Sequence, residues 1–332
     1  MKLCALVEAP EHVCCRYRIR AFESALAGAG CSLTVAGLPR GVRQRIWQFL
    51  RLRPYDAVLL QRRLLPPWQL RPLRWFSRRL LFDFDDAILY RDSYDLRGLI
   101  DLERARRFAA TVKLADTVIA GNTYLAECAR AAGAYPAKVV VIPTCISLER
   151  YTVTEHPAER RGVDLVWIGS ASTLQGLERQ RELWEYLGQQ VPALRLRVIC
   201  DRFPDFNLPP VIPIQWSKRT EVAEVAAGDI GINWMPDDLW SLGKCGLKIL
   251  QYQAAGLPVI ANPVGIHKTL IEPGVTGFLP QTPTEWLQAI KLLVAEPALR
   301  RQMGRAARAR VAAEYSVAAW TSRFVTTILG KA

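Results

Sequence analysis

Lys244 and Lys248 lie in the stretch KCGLKILQYQAAGLPVIA, residues 244–261, where a polar loop containing Gly246 runs into a short amphipathic helix. Gly256 ends that helix, Pro258 follows, and Val259 and Ile260 open an apolar strand. The first turn of a helix carries unpaired backbone N–H groups and the positive end of the dipole, so it favours an anion. Lysines there oppose the dipole unless an anion joins them, and the combination describes a diphosphate site. A second turn of small residues, Gly169-Ser170-Ala171-Ser172-Thr173, follows the apolar run 164–168 and precedes a helix. Doubly wound sheets bind ligands at such strand ends. A third constellation is LLFDFDDAI, residues 80–88, an apolar strand ending in Asp83, Asp85 and Asp86. A carboxylate there can hold an acceptor hydroxyl or stabilise developing positive charge, or it can cap the next turn. Arg16 and Arg18 follow the first strand, Asn122 stands at an N-cap position, and Trp216 follows the strand 211–214. The arginines suit a phosphate or a helix surface. The tryptophan suits a nucleotide base or the core.

These residues need a scaffold, and the pattern supplies one. Strands at 2–7, 32–36, 57–61, 80–84, 117–120 and 139–142 alternate with helical stretches, among them an amphipathic helix at 99–114. After a polar, aperiodic segment the alternation resumes at 164–168, 196–200, 211–214, 230–233 and 259–260. Repeated strand–helix units mean parallel sheets covered on both faces. Two series mean two Rossmann-like domains, expected at 1–150 and 163–314 with a linker at 151–162. A last helix at 317–329, within 315–332, exceeds what the second domain requires. Neither series carries GxGxxG, which argues against a nicotinamide-dependent enzyme.

The 332 residues carry a net charge of +13. No apolar run reaches the ~18–20 residues of a membrane span, and the N-terminus reads as a strand instead of a leader, so a cytoplasmic location is expected. The eight cysteines and three histidines form no CxxC or ligand spacing, so thiols and no metal site are expected. Charge concentrates between residues 40 and 79, where eleven arginines face one acid, Asp56, with Trp47, Phe49, Trp68, Trp75 and Phe76 interleaved. That mixture suits an anionic membrane surface or a phosphorylated acceptor, or a solvated basic face; a nucleic-acid partner would rest on charge alone and is not expected.

The string 244–261, followed by Val264-Gly265 and IEPGVTGFL at 271–279, resembles the C-terminal half of retaining glycosyltransferases of family 4. The resemblance implies the α/β GT-B fold: two Rossmann-like parallel-sheet domains, an interdomain cleft and a C-terminal helix crossing back to the first domain. It implies metal-independent, retaining transfer of a sugar from a nucleotide sugar to a glycan or lipid-linked acceptor, the nucleotide sugar being substrate and no cofactor being required. On this basis Asp85, Asp86 and Lys248 are the catalytic candidates. Gly169, Ser170, Lys244, Gly246, Gln251 and Trp216 are the donor-binding candidates. Two departures stand out. The family's Gly-Arg pair is Gly169-Ser170 here, with the next base at Arg179, and its Glu-x7-Glu pair is Gly243 and Gln251. Gln251 still accepts hydrogen bonds, whereas Gly243 offers no side chain. The alternative is therefore a non-catalytic nucleotide-sugar-binding protein.

Overall fold

The computed structural model describes residues 1–153 and 162–330; most of the expected linker, 154–161, lies outside the described residues. The described residues form twelve strands: β1 (Lys2–Val7), β2 (Ser32–Gly37), β3 (Ala57–Gln61), β4 (Leu80–Phe84), β5 (Thr117–Ala120), β6 (Val139–Val141), β7 (Val163–Ile168), β8 (Leu194–Cys200), β9 (Val211–Gln215), β10 (Ile230–Asn233), β11 (Val259–Ala261) and β12 (Gly277–Phe278). They build two six-stranded sheets, in the orders β2-β1-β3-β4-β5-β6 and β12-β11-β10-β7-β8-β9. Each pairing is parallel. The central strands β3 and β4 are buried along their whole length, as strands covered on both faces must be. Each order reverses once, between β1 and β3 and between β7 and β10, and ligands bind at the carboxyl ends beside such reversals.

The chain divides into two compact units. Unit 1 holds Met1–Cys145, Asp238–Cys245 and the C-terminal helix Val317–Leu329; unit 2 holds the described residues of Ile146–Asp237 and Gly246–Ser316. Two boundaries differ from the sequence expectation. Ile146 already belongs to unit 2, because its N–H donates to Tyr315 O at 2.9 Å. Residues 238–245, expected in the second domain, are bound into unit 1 by contacts described below.

The core of unit 1 is aromatic at its centre, with Phe82, Phe84 and Phe108 in mutual contact. The C-terminal helix packs on the other face, where Phe324 stacks on Phe22 with centroids 4.1 Å apart. Arg79 donates to the carbonyls of Thr327 and Ile328, at 2.6 Å each, and so satisfies groups that a helix end leaves unpaired. In unit 2, Trp184 and Trp286 meet edge to face.

Arg18 and Asp83 form an ion pair inside unit 1, both side chains almost wholly buried. Arg18 brackets Asp83, Nη2 lying 2.5 Å from Oδ1, and its Nη1 donates to Ile142 O at 2.9 Å. Gln61, in register with Asp83, donates to Oδ2 at 3.2 Å. Arg18 is thus a core residue with its donors occupied by the protein. Burial opposes its charge, but Asp83 outweighs burial and holds the guanidinium firmly protonated. Removing one partner strands the other charge, so Asp83→Ala is expected to lower unfolding free energy by about 3–5 kcal/mol in urea. Adding Arg18→Met should restore part of the loss. A single variant as stable as the parent would contradict this.

Candidate functional site

In unit 1 the carboxyl ends of β3 and β4 bring together Arg62, Asp85 and Asp86. Arg62 follows the last residue of β3, and its N–H donates to Asp83 O at 2.9 Å, one step beyond the ladder. It takes φ +58°, the only positive φ of a non-glycine residue among the described residues. A left-handed arginine costs on the order of 1–3 kcal/mol and persists only when its surroundings demand it. Here they do. Nη1 lies 3.0 Å from Asp85 Oδ1 and Nη2 lies 2.5 Å from Asp86 Oδ2. Nη1 also reaches the Cys14 sulfur at 2.5 Å. Burial pushes that thiol well up, Asp85 adding to the effect, so it stays protonated.

Lys244 completes this cluster. Its Nζ lies 3.1 Å from Asp86 Oδ1 and 4.7 Å from the centroid of the Trp240 ring. Burial works against the Asp86 charge, but Arg62 and then Lys244 outweigh it, leaving the carboxyl below its ordinary value. The segment carrying Lys244 is held throughout. Ser93 Oγ donates to Asp238 Oδ1 at 3.1 Å, and Asn122 Nδ2 donates to Lys244 O at 3.0 Å and Leu242 O at 3.3 Å. Asn122 also caps its own helix, Oδ1 accepting from Leu125 N at 2.8 Å. A Cβ on Gly243 would lie 2.5 Å from Ala87 Cβ and 2.6 Å from Ala87 N. The position that resembles the family's first glutamate therefore has no room for a side chain.

Unit 2 holds the other half of the predicted residues. The ladder joining β7 and β10 pairs only Leu165 with Ile230 and Val166 with Gly231. One step further, the Ile168 N–H is accepted by the Tyr252 hydroxyl at 3.0 Å. Tyr252 lies across Gly231, where any Cβ would meet its ring at 2.4 Å. The helix Leu247–Ala254 is thereby locked onto the strand reversal, and Gln253 Nε2 fixes its other side by donating to Leu270 O at 2.7 Å. Gly246 is the N-cap with φ +69°, and a Cβ there would collide with Leu270. Lys248, one turn before Tyr252 on the same face, sits with Nζ 4.3 Å from the centroid of the Trp167 ring. Gln251 is buried.

Beside Trp167, Gly169 leaves β7 where a Cβ would lie 2.5 Å from that ring and 2.6 Å from Thr173 Oγ1. Ser170 N–H donates to Thr173 Oγ1 at 3.1 Å, and the Ser170 and Ser172 hydroxyls are 2.9 Å apart. The Ala171 N–H is already taken by Asp201 Oδ1 at 3.1 Å, so this turn offers an anion fewer donors than its sequence suggests. Trp216 stands apart from the reversal, at the end of edge strand β9, and its Nε1 donates to buried Glu221 at 3.1 Å. His267, which the sequence did not single out, stitches the ends of β10 and β11. Its Nδ1 is 2.7 Å from Asn262 O and its Nε2 is 2.9 Å from Asn233 Nδ2. The carbonyl must accept, so Nδ1 carries the proton and Nε2 accepts from the amide. A separate cavity of about 360 Å³ in unit 2 is lined by Gln180, Trp234, Asp237, Asn262, Lys268 and Trp286 among others, and by none of the predicted residues. Among the described residues, no group of three His, Cys, Asp or Glu side chains is arranged to hold a metal ion.

The architecture is that of the GT-B glycosyltransferases, two Rossmann-like parallel-sheet domains in one chain. Anabaena HepE in complex with UDP-glucose superposes with TM-score 0.67 at 17% identity, over 99% of this chain and 100% of that one. Sucrose-phosphate synthase from Thermosynechococcus elongatus gives 0.74 at 18% identity, over 100% of both chains. The lipopolysaccharide outer core galactosyltransferase WaaB gives 0.69 at 12% identity, again over 100% of both. Residues 179–326 match a family model described as glycosyl transferase-like. No curated protein matches the chain.

His267 gives unit 2 a pH signature. Burial, reinforced by the charge of Lys248, lowers its pKa from 6.5 to about 4, against the opposing bond to Asn262. As pH falls, the unfolded chain takes up this proton first. The stability due to the neutral ring is therefore full above about 6.5 and is lost progressively towards 4. Between about pH 7 and pH 5 this group should remove roughly 2 kcal/mol from the unfolding free energy of the parent and nothing from His267→Gln. Equal pH slopes for the two proteins in urea titrations would contradict the assignment.

Proposed function

We propose that the protein is a glycosyltransferase that moves a sugar from a nucleotide-sugar donor to a glycan or lipid-linked acceptor, with retention, in the assembly of cell-surface polysaccharide or glycolipid in the cytoplasm. The observation that carries this is the helix start at Gly246, Leu247 and Lys248, locked by Tyr252 onto the β7–β10 reversal beside Gly169. It offers backbone N–H groups, the positive dipole end and one cation to a diphosphate. The match to the glycosyl transferase-like model spans this helix, and the Anabaena protein of the same fold is described in complex with UDP-glucose.

The roles follow from the chemistry of each group. Unit 2 takes the donor. Lys248 and the helix N–H groups neutralise the nucleoside diphosphate as the bond from the anomeric carbon to phosphate breaks, which stabilises the transition state electrostatically. The acceptor oxygen forms its bond on the same face, and its proton passes to the departing phosphate. Unit 1 takes the acceptor. Asp85, ion-paired with Arg62, is the carboxylate for the acceptor hydroxyl or for oxocarbenium-like charge. Asp86, shared by Arg62 and Lys244, holds both cations in position. Lys244 therefore supports the site through Asp86, and Lys248 is the lysine assigned to the diphosphate. Gln251 is the candidate for the ribose, and Ser170 for a phosphate oxygen.

A second reading has its own observation. Gly243 has no space for a side chain against Ala87, and Gln251 bears no charge, so a protein that binds nucleotide sugars without transferring them fits the same residues. Release of nucleoside diphosphate from a bound donor separates the two.

Lys248→Ala should weaken nucleoside-diphosphate binding by roughly 1.5–3 kcal/mol in calorimetric titration, the value of a hydrogen bond to a charged group. Unchanged affinity would remove Lys248 from the site. Transfer should also survive EDTA. Activity lost on chelation and restored by manganese would mean that the diphosphate is neutralised by a metal instead of by this helix.

A further inference from the structure

The arginine-rich run resolves into two helices of unit 1, Val42–Leu50 and Pro67–Phe76. They pack together through Phe49, Leu70 and Leu73, and Arg45 Nη1 donates to Gln69 Oε1 at 2.5 Å. Their outer faces are unlike an ordinary helix surface. On the first, Arg43, Trp47, Leu50 and Arg51 recur at i, i+4, i+7 and i+8, and all are exposed. On the second, Trp68, Arg71 and Trp75 recur at i, i+3 and i+7, and all are exposed. Trp47, Trp68 and Trp75 leave 65%, 57% and 82% of their surface open, although tryptophan is among the most buried side chains on average. The one acid between residues 40 and 79, Asp56, is already engaged by the Lys2 N–H and by Arg78.

We propose that these two outer faces form a docking surface for an anionic lipid bilayer, with the tryptophans at headgroup level and the arginines against lipid phosphates. Charge decides the sign of the partner, since both stripes carry cations and no acid. The aromatics decide its kind. Tryptophan is the residue that prefers the membrane interface, and basic helices with exposed aromatics lie in its plane. Single-stranded nucleic acid is the rival anion, but it calls for a groove that tracks a backbone, and these tryptophans project from outward helix faces. Among the described residues no helix is long and apolar enough to cross a membrane, so attachment would be peripheral and reversible. The proposal does not depend on sugar transfer.

The test is co-sedimentation of the full chain with vesicles of phosphatidylcholine alone or mixed with phosphatidylglycerol. Binding is expected to the mixed vesicles only, and to weaken sharply at about 1 M salt, where the Debye length is about 3 Å. The triple variant Trp47→Ser, Trp68→Ser, Trp75→Ser should lose at least tenfold in partitioning while keeping the parent's melting temperature. So should Arg43→Glu combined with Arg71→Glu. Equal partitioning to both vesicle types, or none to either, would overturn the proposal. So would full binding by both variants, or single-stranded RNA bound more tightly than the vesicles and lost in the tryptophan variant.

Discussion

Asp86 is a buried carboxylate, and burying a charge is unfavourable unless it is paired. Both of its oxygens are paired, one with Arg62 and one with Lys244, and much of unit 1 is arranged so that this can happen. Arg62 accepts a left-handed backbone to bring one guanidinium to Asp85 and Asp86 together. The segment 238–245 leaves the sequence of unit 2 and is bound into unit 1 by Asn122, Ser93 and the close contact of Gly243 with Ala87. Two lysines four residues apart consequently belong to different units and have different neighbours: the Asp86 carboxylate and the Trp240 ring for Lys244, the Trp167 ring for Lys248.

In unit 2 the controlling feature is a strand reversal. Parallel neighbours diverge there, which frees a backbone N–H at Ile168, and the Tyr252 hydroxyl fills the vacancy. The same contact requires Gly231 in β10 and fixes the rotation of the helix Leu247–Ala254. Lys248, on the same helix face as Tyr252, lies with its Nζ over the Trp167 ring. The chemistry proposed for this end of the sheet thus rests on a helix held by close packing against β10 and by a hydrogen bond to β7, and electrostatic stabilisation of a leaving group calls for donors placed in advance.

The elements were legible in the sequence because they depend on local pattern. Apolar runs with the right punctuation gave every strand but the two-residue β12, which is too short to carry a period, as well as the loop-to-helix junction around Gly246 and the last helix. What was not legible depends on pairs distant in sequence. Nothing near Lys244 announces Asp86, and nothing near Arg18 announces Asp83. Arg62 looked like one more arginine in a basic run, although its place just past an apolar strand was the available signal. The turn at Gly169 read as an open anion cradle, but Asp201, thirty residues on, occupies one of its donors. Trp216 suited a nucleotide base or the core, while its indole N–H serves Glu221 at the sheet edge. Periodicity of exposed residues was the reverse case. The spacing of Trp68, Arg71 and Trp75 was already present in the sequence, but only the packed faces of the two helices reveal which side it decorates.

The most direct measurement of the central assignment is the melting temperature of the intact protein against a panel of nucleotide sugars and their free nucleoside diphosphates. A ligand that binds the folded chain raises its stability by an amount set by concentration over Kd, about 2.7 kcal/mol at a hundredfold excess. A donor site built on Lys248 and the helix at Gly246 predicts that one nucleotide family stabilises the protein, as sugar conjugate and as free diphosphate, and that Lys248→Ala abolishes much of the shift. A flat response across the whole panel would contradict a nucleotide-sugar site in unit 2.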